Sequence, residues 1–415
     1  MNVLLHTFGC KANQYDTEVV RQRLEAAGCT VVADAADADA AVVNSCTVTH
    51  VGEAKMRGYV RRLARANPAL RTVVMGCAAA LDDGRIAALP GVTAVVGGAD
   101  PGAVASALGI EAADAGPLAG FAGSARAWLK IQDGCDEHCT FCATTLARGD
   151  SRSRDPEAIV AEATLLARGH AEIVLTGVHI GTYGRDRGTA TTLSALVELL
   201  VTRVPGVRFR LSSVEATEVD ERLERLMAEA PDRLAPHLHA PLQSGSDRVL
   251  KRMGRHWYTA ADYRRRIERL ADRVRPFGLG ADVIVGFPGE SDADHRATLA
   301  LVDALPYTYL HVFPYSPRAG TAAPRLGPAP QPAVVKERGA ELRAAADRKA
   351  RAHRAARSGA DADLVLEGRS AQWRDAITEH YLPVRVPADA HWVLGRRRVA
   401  ARLVGGAGGL LAEAV

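Results

Sequence analysis

At 415 residues, with 47% hydrophobic and 24% charged residues, the chain exceeds one ordinary core and describes a soluble, globular protein of two or three domains. A formal charge of +4 and a pI near 8.7 are compatible with nucleic acid without requiring it. No apolar run reaches the roughly 20 residues of a membrane span, and MNVLLHTFGC has no basic segment ahead of its short apolar stretch.

A cytoplasmic location with no membrane partner is therefore expected. In that reducing setting the seven cysteines are metal ligands, catalytic groups or buried thiols rather than disulfides, and their odd number argues against full pairing.

From residue 1 to 122, short Val-rich runs alternate with helical patterns. NVLLHTF, TVVA, AAVVNS, TVVMG and TAVVGG read as strands, and NQYDTEVVRQRLEAAG and HVGEAKMRGYVRRLARA as helices. The alternation implies an open parallel α/β sheet. EAADAGPLAGFAGSAR is Gly/Ala-rich and aperiodic, as expected of a linker.

The alternation resumes from 123 to 330. ARAWLKIQDG, AEIVLTGV, RFRLSS, HLHAPLQ, LGADVIVGF and YLHVFPY read as strands, separated by helices such as DPEAIVAEATLLARG and ERLERLMAEAP. Six such units suggest a barrel or partial (β/α) barrel with its chemistry at the carboxyl ends of the strands. After the Pro-rich SPRAGTAAPRLGPAPQP, residues 331–358 read as a basic linker helix. Residues 359–415 change period, with DLVLEGRS, HYLPVRV, HWVLGRRRVAARLVG and GLLAEAV as short strands of a small β-barrel.

The sharpest feature is GCDEHCTFC, which places Cys135, Cys139 and Cys142 in C-x3-C-x2-C spacing just after a strand. Three thiolates on one tight loop suit three corners of a cubane [4Fe–4S] cluster, leaving one iron open to chelate S-adenosylmethionine; full cysteine ligation needs a fourth. Phe141 would shield such a cluster. A structural zinc site completed by His138, or ordinary buried thiols, are the bland alternatives.

Cys10, Cys46 and Cys77 each follow a predicted parallel strand. Those ends converge on the edge where open α/β sheets bind ligands, which suits a second cluster with an open iron; singly, each reads as a buried thiol. Cys29 begins a strand at the opposite end and reads as structural. Small or polar residues at later strand ends, Gly177, Ser213, Glu215 and Gln243, are candidate contacts to S-adenosylmethionine. Arg148, Arg152 and Arg154 are candidates for RNA phosphates, as are the basic helix and Arg396–Arg398. Tyr183, Trp257 and Tyr315 are candidates for stacking on an unpaired base.

The C-x3-C-x2-C loop, with LTGVHIGTYG, LSSVE, PLQSGSD and ADVIVGFPGE at strand ends, resembles the radical S-adenosylmethionine superfamily. Three N-terminal cysteines and a C-terminal β-barrel then make nearly the whole chain similar to the methylthiotransferase family. TFGCKANQYDTE is similar to the branch acting on threonylcarbamoyladenosine in tRNA; the isopentenyladenosine branch tends towards Cys-Gln-Met-Asn and the ribosomal-protein branch towards Cys-Pro-Lys-Asn. CDEHCTFC, ARGDSRS and PHLHAPLQSGSDRVLKRMGR agree, whereas ATTLARG departs from the bulkier residues and Pro-Tyr pair of many members.

The resemblance implies a methylthiotransferase domain (1–122), a radical domain (123–330), the linker helix and an RNA-binding TRAM domain (359–415). It implies two [4Fe–4S] clusters and S-adenosylmethionine. A deoxyadenosyl radical would remove hydrogen from C2 of the adenine, and the cluster at Cys10, Cys46 and Cys77 would present the sulfur. It implies a tRNA anticodon stem-loop as substrate, a low-potential electron donor and a sulfur donor. Methylthiolation of isopentenyladenosine or of a ribosomal protein, and a non-catalytic iron–sulfur RNA-binding protein, are the competing readings.

Overall fold

The computed structural model describes all residues but 112, 189, 190, 407 and 408, and at 369 the backbone alone. Residue 112 belongs to the expected linker and so lies outside the described residues.

The first unit is a five-stranded parallel sheet in the order β2-β1-β3-β4-β5, with β1 (Asn2–Thr7), β2 (Thr30–Val32), β3 (Ala40–Ser45), β4 (Arg71–Gly76) and β5 (Val92–Gly97). Helix α1 (Lys11–Ala26) covers one face through Val20 and Leu24, and α2 (His50–Ala66) covers the other through Met56, Val60 and Leu63. β3 is buried along its whole length, which its run of small and β-branched residues permits. Cys29 is buried with Val20 and Leu24, the structural role its position suggested.

The second unit contains β6 (Arg126–Lys130), a short hairpin of β7 (Gln132–Asp133) and β8 (Arg152–Ser153), then β9 (Glu172–Thr176), β10 (Arg208–Leu211), β11 (His237–His239), β12 (Gly278–Val285) and β13 (Tyr309–Pro314). Two parallel three-stranded sheets, β6-β9-β10 and β11-β12-β13, meet through the bridges Phe209↔Leu234 and Ser213↔His239. The result is the partial barrel expected from six strand units.

Its residues alternate. Ile173, Leu175, Phe209, Leu211, Leu238, Ala281 and Val283 pack outward against the helices. Arg126, Glu172, Arg208, Arg210, His237, His239, Asp282, Tyr309 and His311 occupy the opposite, concave face, as the two-residue period of strands requires.

Edges β6 and β13 do not pair, and the N-terminal sheet closes the gap between them. On one side Asp16 of α1 bonds Lys130 and Arg148, and Tyr15 accepts from Arg154 at 3.0 Å. On the other, Arg318 donates to Thr47 Oγ1 at 2.7 Å and Glu53 Oε2 at 2.8 Å, and the His50 amide donates to Ser316 Oγ at 3.3 Å.

The basic helix, Pro332–Arg357, leads into a closed barrel of β14 (Asp361–Arg369), β15 (Trp373–Thr378), β16 (Pro383–Pro387), β18 (Gly409–Glu413) and β17 (Arg398–Gly406), in that order. This small barrel plugs the amino-terminal end of the larger one. Arg210 donates to the carbonyls of Thr378 and Glu379, Arg208 pairs with Asp363, and Arg126 pairs with Glu367. Two details differ from the sequence reading: WRDAIT forms β15, and His391–Val393 is a 3-10 turn rather than the start of a strand.

Among the described residues, no helix is long and apolar enough to cross a membrane.

Candidate functional site: two cysteine triads facing one lumen

β1, β3 and β4 are neighbours, and Cys10, Cys46 and Cys77 leave their carboxyl ends. Ser45 pairs with Gly76, so the following residues, Cys46 and Cys77, emerge side by side. Cys10 caps the start of α1 without a side-chain cap bond, and a Cβ on its neighbour Gly9 would stand 3.1 Å from Cys46 Cβ. Gly76 has φ +97°, and a Cβ there would lie 2.2 Å from Asn44 Oδ1, so only glycine turns the chain into Cys77.

Buried amides hold the three ends together. Asn13 Nδ2 donates to Asn44 Oδ1 (2.8 Å) and the Ser45 carbonyl (3.0 Å), Asn44 Nδ2 returns to the Asn13 carbonyl (2.9 Å), and Ser45 Oγ donates to the Met75 carbonyl (2.6 Å). Asn13 and Asn44 thus support the site. Their only sequence signal is polar residues inside segments that otherwise bury apolar ones.

The Cys135–Cys142 loop stands at the carboxyl end of the partial barrel. The Cys135 amide donates to the Gly149 carbonyl (3.0 Å), Thr140 to Met253 (2.8 Å), and Ala323 to Thr140 (2.7 Å). Phe141 packs with Phe287, Val249 and Met253 on the inner side of the loop. His138 is exposed. His179 is the imidazole beside the thiols, its Nδ1 3.7 Å from Cys135 Sγ and its Nε2 2.9 Å from Glu218. Burial disfavours its charge, but Cys135 and Glu218 hold its pKa up at about 10.

Arg255 was not singled out from the sequence. It lies under Trp257 with 4.7 Å to the ring centroid, pairs with Glu215, and donates to Cys139 Sγ at 3.6 Å. Its signal was a lone Arg in GRHWY, indistinguishable from a surface residue.

Both triads can be tested against an iron–sulfur cluster. Burial pushes Cys77 up to about 11 and Cys139 up to about 12, with Arg148 and Arg255 pulling the other way. Such thiols ionise against a strong positive partner, as metal ligation supplies. Among the described residues, the only three-ligand group with all ligand atoms within 4.8 Å of one another is His239, Asp282 and His311. Tetrahedral zinc holds its sulfurs roughly 4 Å apart. Neither cysteine triad is that compact, so neither is gathered as a single zinc ion requires.

The other candidates fare unevenly. Ser213 is exposed at the end of β10, and Gln243 adopts φ 62° beside β12, a left-handed conformation that costs a non-glycine residue of order 1 kcal/mol. Glu215 is buried against Arg255. Gly177 needs to lack a side chain because a Cβ would meet the Gln132 carbonyl at 2.5 Å, a protein contact.

Three RNA candidates turn inward. Arg148 and Arg154 are committed to Asp16, Asp133 and Glu162, because each bridges elements whose carboxylates are otherwise buried; only Arg152 of that run is exposed. Arg398 is held by Asp363, leaving Arg396 and Arg397 exposed. Tyr183 is a core residue bonded to the Arg154 carbonyl, and Tyr315 packs on Phe287.

Residues 2–98 match the family described as Uncharacterized protein family UPF0004, and residues 129–302 match the Radical SAM superfamily. A Bacillus subtilis protein called threonylcarbamoyladenosine tRNA methylthiotransferase MtaB is 40% identical, covering 84% of this chain and 81% of its own. A Parafrankia protein called tRNA-2-methylthio-N(6)-dimethylallyladenosine synthase is 34% identical over 88% of this chain and 78% of its own. The fold resembles the radical S-adenosylmethionine methyltransferase TsrM of Kitasatospora setae, with TM-score 0.58 at 15% identity over 75% of this chain and 72% of that one. The chain belongs to the MtaB-like methylthiotransferases of the radical S-adenosylmethionine superfamily.

Proposed function

We propose that this protein converts N6-threonylcarbamoyladenosine at position 37 of tRNA to its 2-methylthio derivative. The observation that supports this reading is the contact between the two cysteine-bearing units, where Arg148, six residues after Cys142, donates to Cys77 Sγ at 3.1 Å. Cys135, Cys139 and Cys142 are assigned to the radical cluster, and Cys10, Cys46 and Cys77 to a second [4Fe–4S] cluster. When bound, the first supplies the electron that cleaves S-adenosylmethionine and the second carries the sulfur to be inserted.

The chain's own residues position and seclude. Arg255 donates to Cys139 Sγ and the His179 imidazole stands 3.7 Å from Cys135 Sγ, so both orient sulfurs of the radical loop. Ser213 and Gln243, with no side-chain partner among the described residues, offer hydrogen bonds to S-adenosylmethionine; Gly177 and Glu215 shape that surface and anchor Arg255. The N-terminal sheet and the small barrel close the lumen on two sides and limit water.

The unit boundaries at 122, 330 and 358 are proposed on the same reading. So are binding of the anticodon stem-loop, an external low-potential electron donor, a sulfur donor and a cytoplasmic location. Exposed Val48, Val51, Leu146 and Phe313 support an unpaired base docking at the mouth.

The test is nucleoside mass spectrometry of tRNA from cells with and without the protein. Loss of only the 2-methylthio form of threonylcarbamoyladenosine, with a rise in its precursor, is the expected result. An unchanged level of that nucleoside overturns the substrate assignment and moves the search to isopentenyladenosine and ribosomal protein.

A further inference from the structure

Cations on the concave face are almost all paired. Arg208 and Arg210 share both oxygens of Glu172, Arg208 also holds Asp363, and Arg126 holds Glu367. Lys11 is the exception. It follows Cys10 directly, its side chain is partly buried, and its ammonium forms no hydrogen bond or ion pair among the described residues. The group it faces is the Tyr381 ring, with Nζ 5.9 Å from the centroid. Glu172, the carboxylate acting on it, is already spent on the arginines.

Tyr381 also begins a wall of rings that runs towards the mouth. Its centroid is 5.5 Å from Tyr309, Tyr309 is 5.4 Å from His311, and His311 is 6.1 Å from Phe313, which is 37% exposed. A Cβ on Gly280 would lie 1.9 Å from the Tyr309 ring, so a glycine there makes room for the wall. Asp282, the nearby acid, is held by His239 and His311 at 3.1 Å each and does not neutralise Lys11.

A lone ammonium at the inner end of an aromatic slot calls for an anion that arrives on a flat or slender group. A backbone phosphate cannot leave its strand to reach the slot, whereas a substituent on an extruded base can. We propose that Lys11 binds the carboxylate of the threonyl group on the substrate's N6, so that this residue, beside a ligand of the sulfur-carrying site, selects the charged substituent over a neutral one. This assignment rests on the functional reading above. A neutral alkyl substituent would leave the ammonium desolvated and unpaired, a built-in penalty against it.

The experiment is a binding cycle on the reconstituted holoenzyme, by fluorescence anisotropy. It uses an anticodon stem-loop bearing threonylcarbamoyladenosine and the same stem-loop with that carboxylate capped as its methyl ester. The unaltered protein should bind the acid at least tenfold more tightly than the ester. Lys11→Gln, at matched iron content and visible spectrum, should bind both alike, and Lys11→Arg should restore most of the preference.

An equal preference for the acid in Lys11→Gln and the unaltered protein overturns the assignment, as does no preference in either. Turnover of the acid stem-loop by the unaltered enzyme checks the functional reading separately: product without coupling in the cycle leaves that reading standing and removes Lys11 from it.

Discussion

Arg148 donates from Nε to Cys77 Sγ at 3.1 Å, and through that contact the loop of one cysteine triad touches the other. The arginine ends the helix Thr144–Arg148, which begins two residues after Cys142. Its Nη1 donates to both carboxylate oxygens of Asp133, two residues before Cys135, and its Nη2 donates to Asp16 and Asn13 of α1. One side chain, 8% exposed, therefore joins the two triads, with Lys130 bridging Asp16 and Asp133 beside it.

Removing it should uncouple them. Arg148→Ala leaves Asp16 and Asp133 sharing only Lys130, and breaking a buried pair of this kind costs about 3 kcal/mol. The expected outcome is a lower thermal midpoint and preferential loss of N-terminal iron, from about eight to about four atoms per chain after anaerobic reconstitution. Full iron with an unchanged midpoint would show that the contact is incidental.

Gly134 prepares the radical loop. Its φ is +71°, and a Cβ would stand 1.8 Å from the Asp150 carbonyl, so the substitution both strains the backbone and collides with it. Gly134→Ala is expected to fold with a displaced Cys135 and to form 5′-deoxyadenosine at least tenfold more slowly, measured by single-turnover chromatography. A rate within twofold of the unaltered enzyme would mean that the loop tolerates the shift.

Acid should loosen the floor of the lumen before it affects most carboxylates. Burial, with Arg357 and His353 nearby, pushes His380 down to about 3, and burial with Arg210 holds His237 well below the usual range. Both are neutral when folded and protonate near 6.5 when unfolded, so the unfolded state binds more protons below that pH. Stability is then lost as pH falls from about 6.5, by about 1.4 kcal/mol per pH unit for each histidine. Glu172, held low against its burial by Arg210 and Arg208, adds to the loss only below its unfolded value near 4.5. Urea midpoints at pH 6.5, 6.0 and 5.5 check this: a falling series is expected, since His179, held up at about 10, adds little further stability below 6.5, with a shallower fall in His380→Gln. A flat series between 6.5 and 5.5 would contradict it.

Much of this arrangement was legible because it rests on local chemistry. Strands β1, β3 and β4 are apolar runs closely followed by cysteine, and their parallel arrangement followed from the intervening helices. β15 was not legible: only Ala376, Ile377 and Thr378 of WRDAIT are buried, so period-two alternation is missing. Nor were the roles of Arg148 and Arg154, since a basic run reads as surface until the partners Asp16 and Glu162, distant in sequence, are brought to it. The unpaired state of Lys11 is likewise a property of the assembled lumen and of no segment alone.

The most direct measurement compares Cys10→Ala with Cys139→Ala in the reconstituted enzyme, following 5′-deoxyadenosine and methylthiolated stem-loop together. If the triads are separate sites with separate tasks, Cys10→Ala continues to form 5′-deoxyadenosine but makes no methylthiolated product, and Cys139→Ala makes neither. Normal methylthiolation by Cys10→Ala would contradict the assignment of Cys10, Cys46 and Cys77 to the sulfur-carrying site.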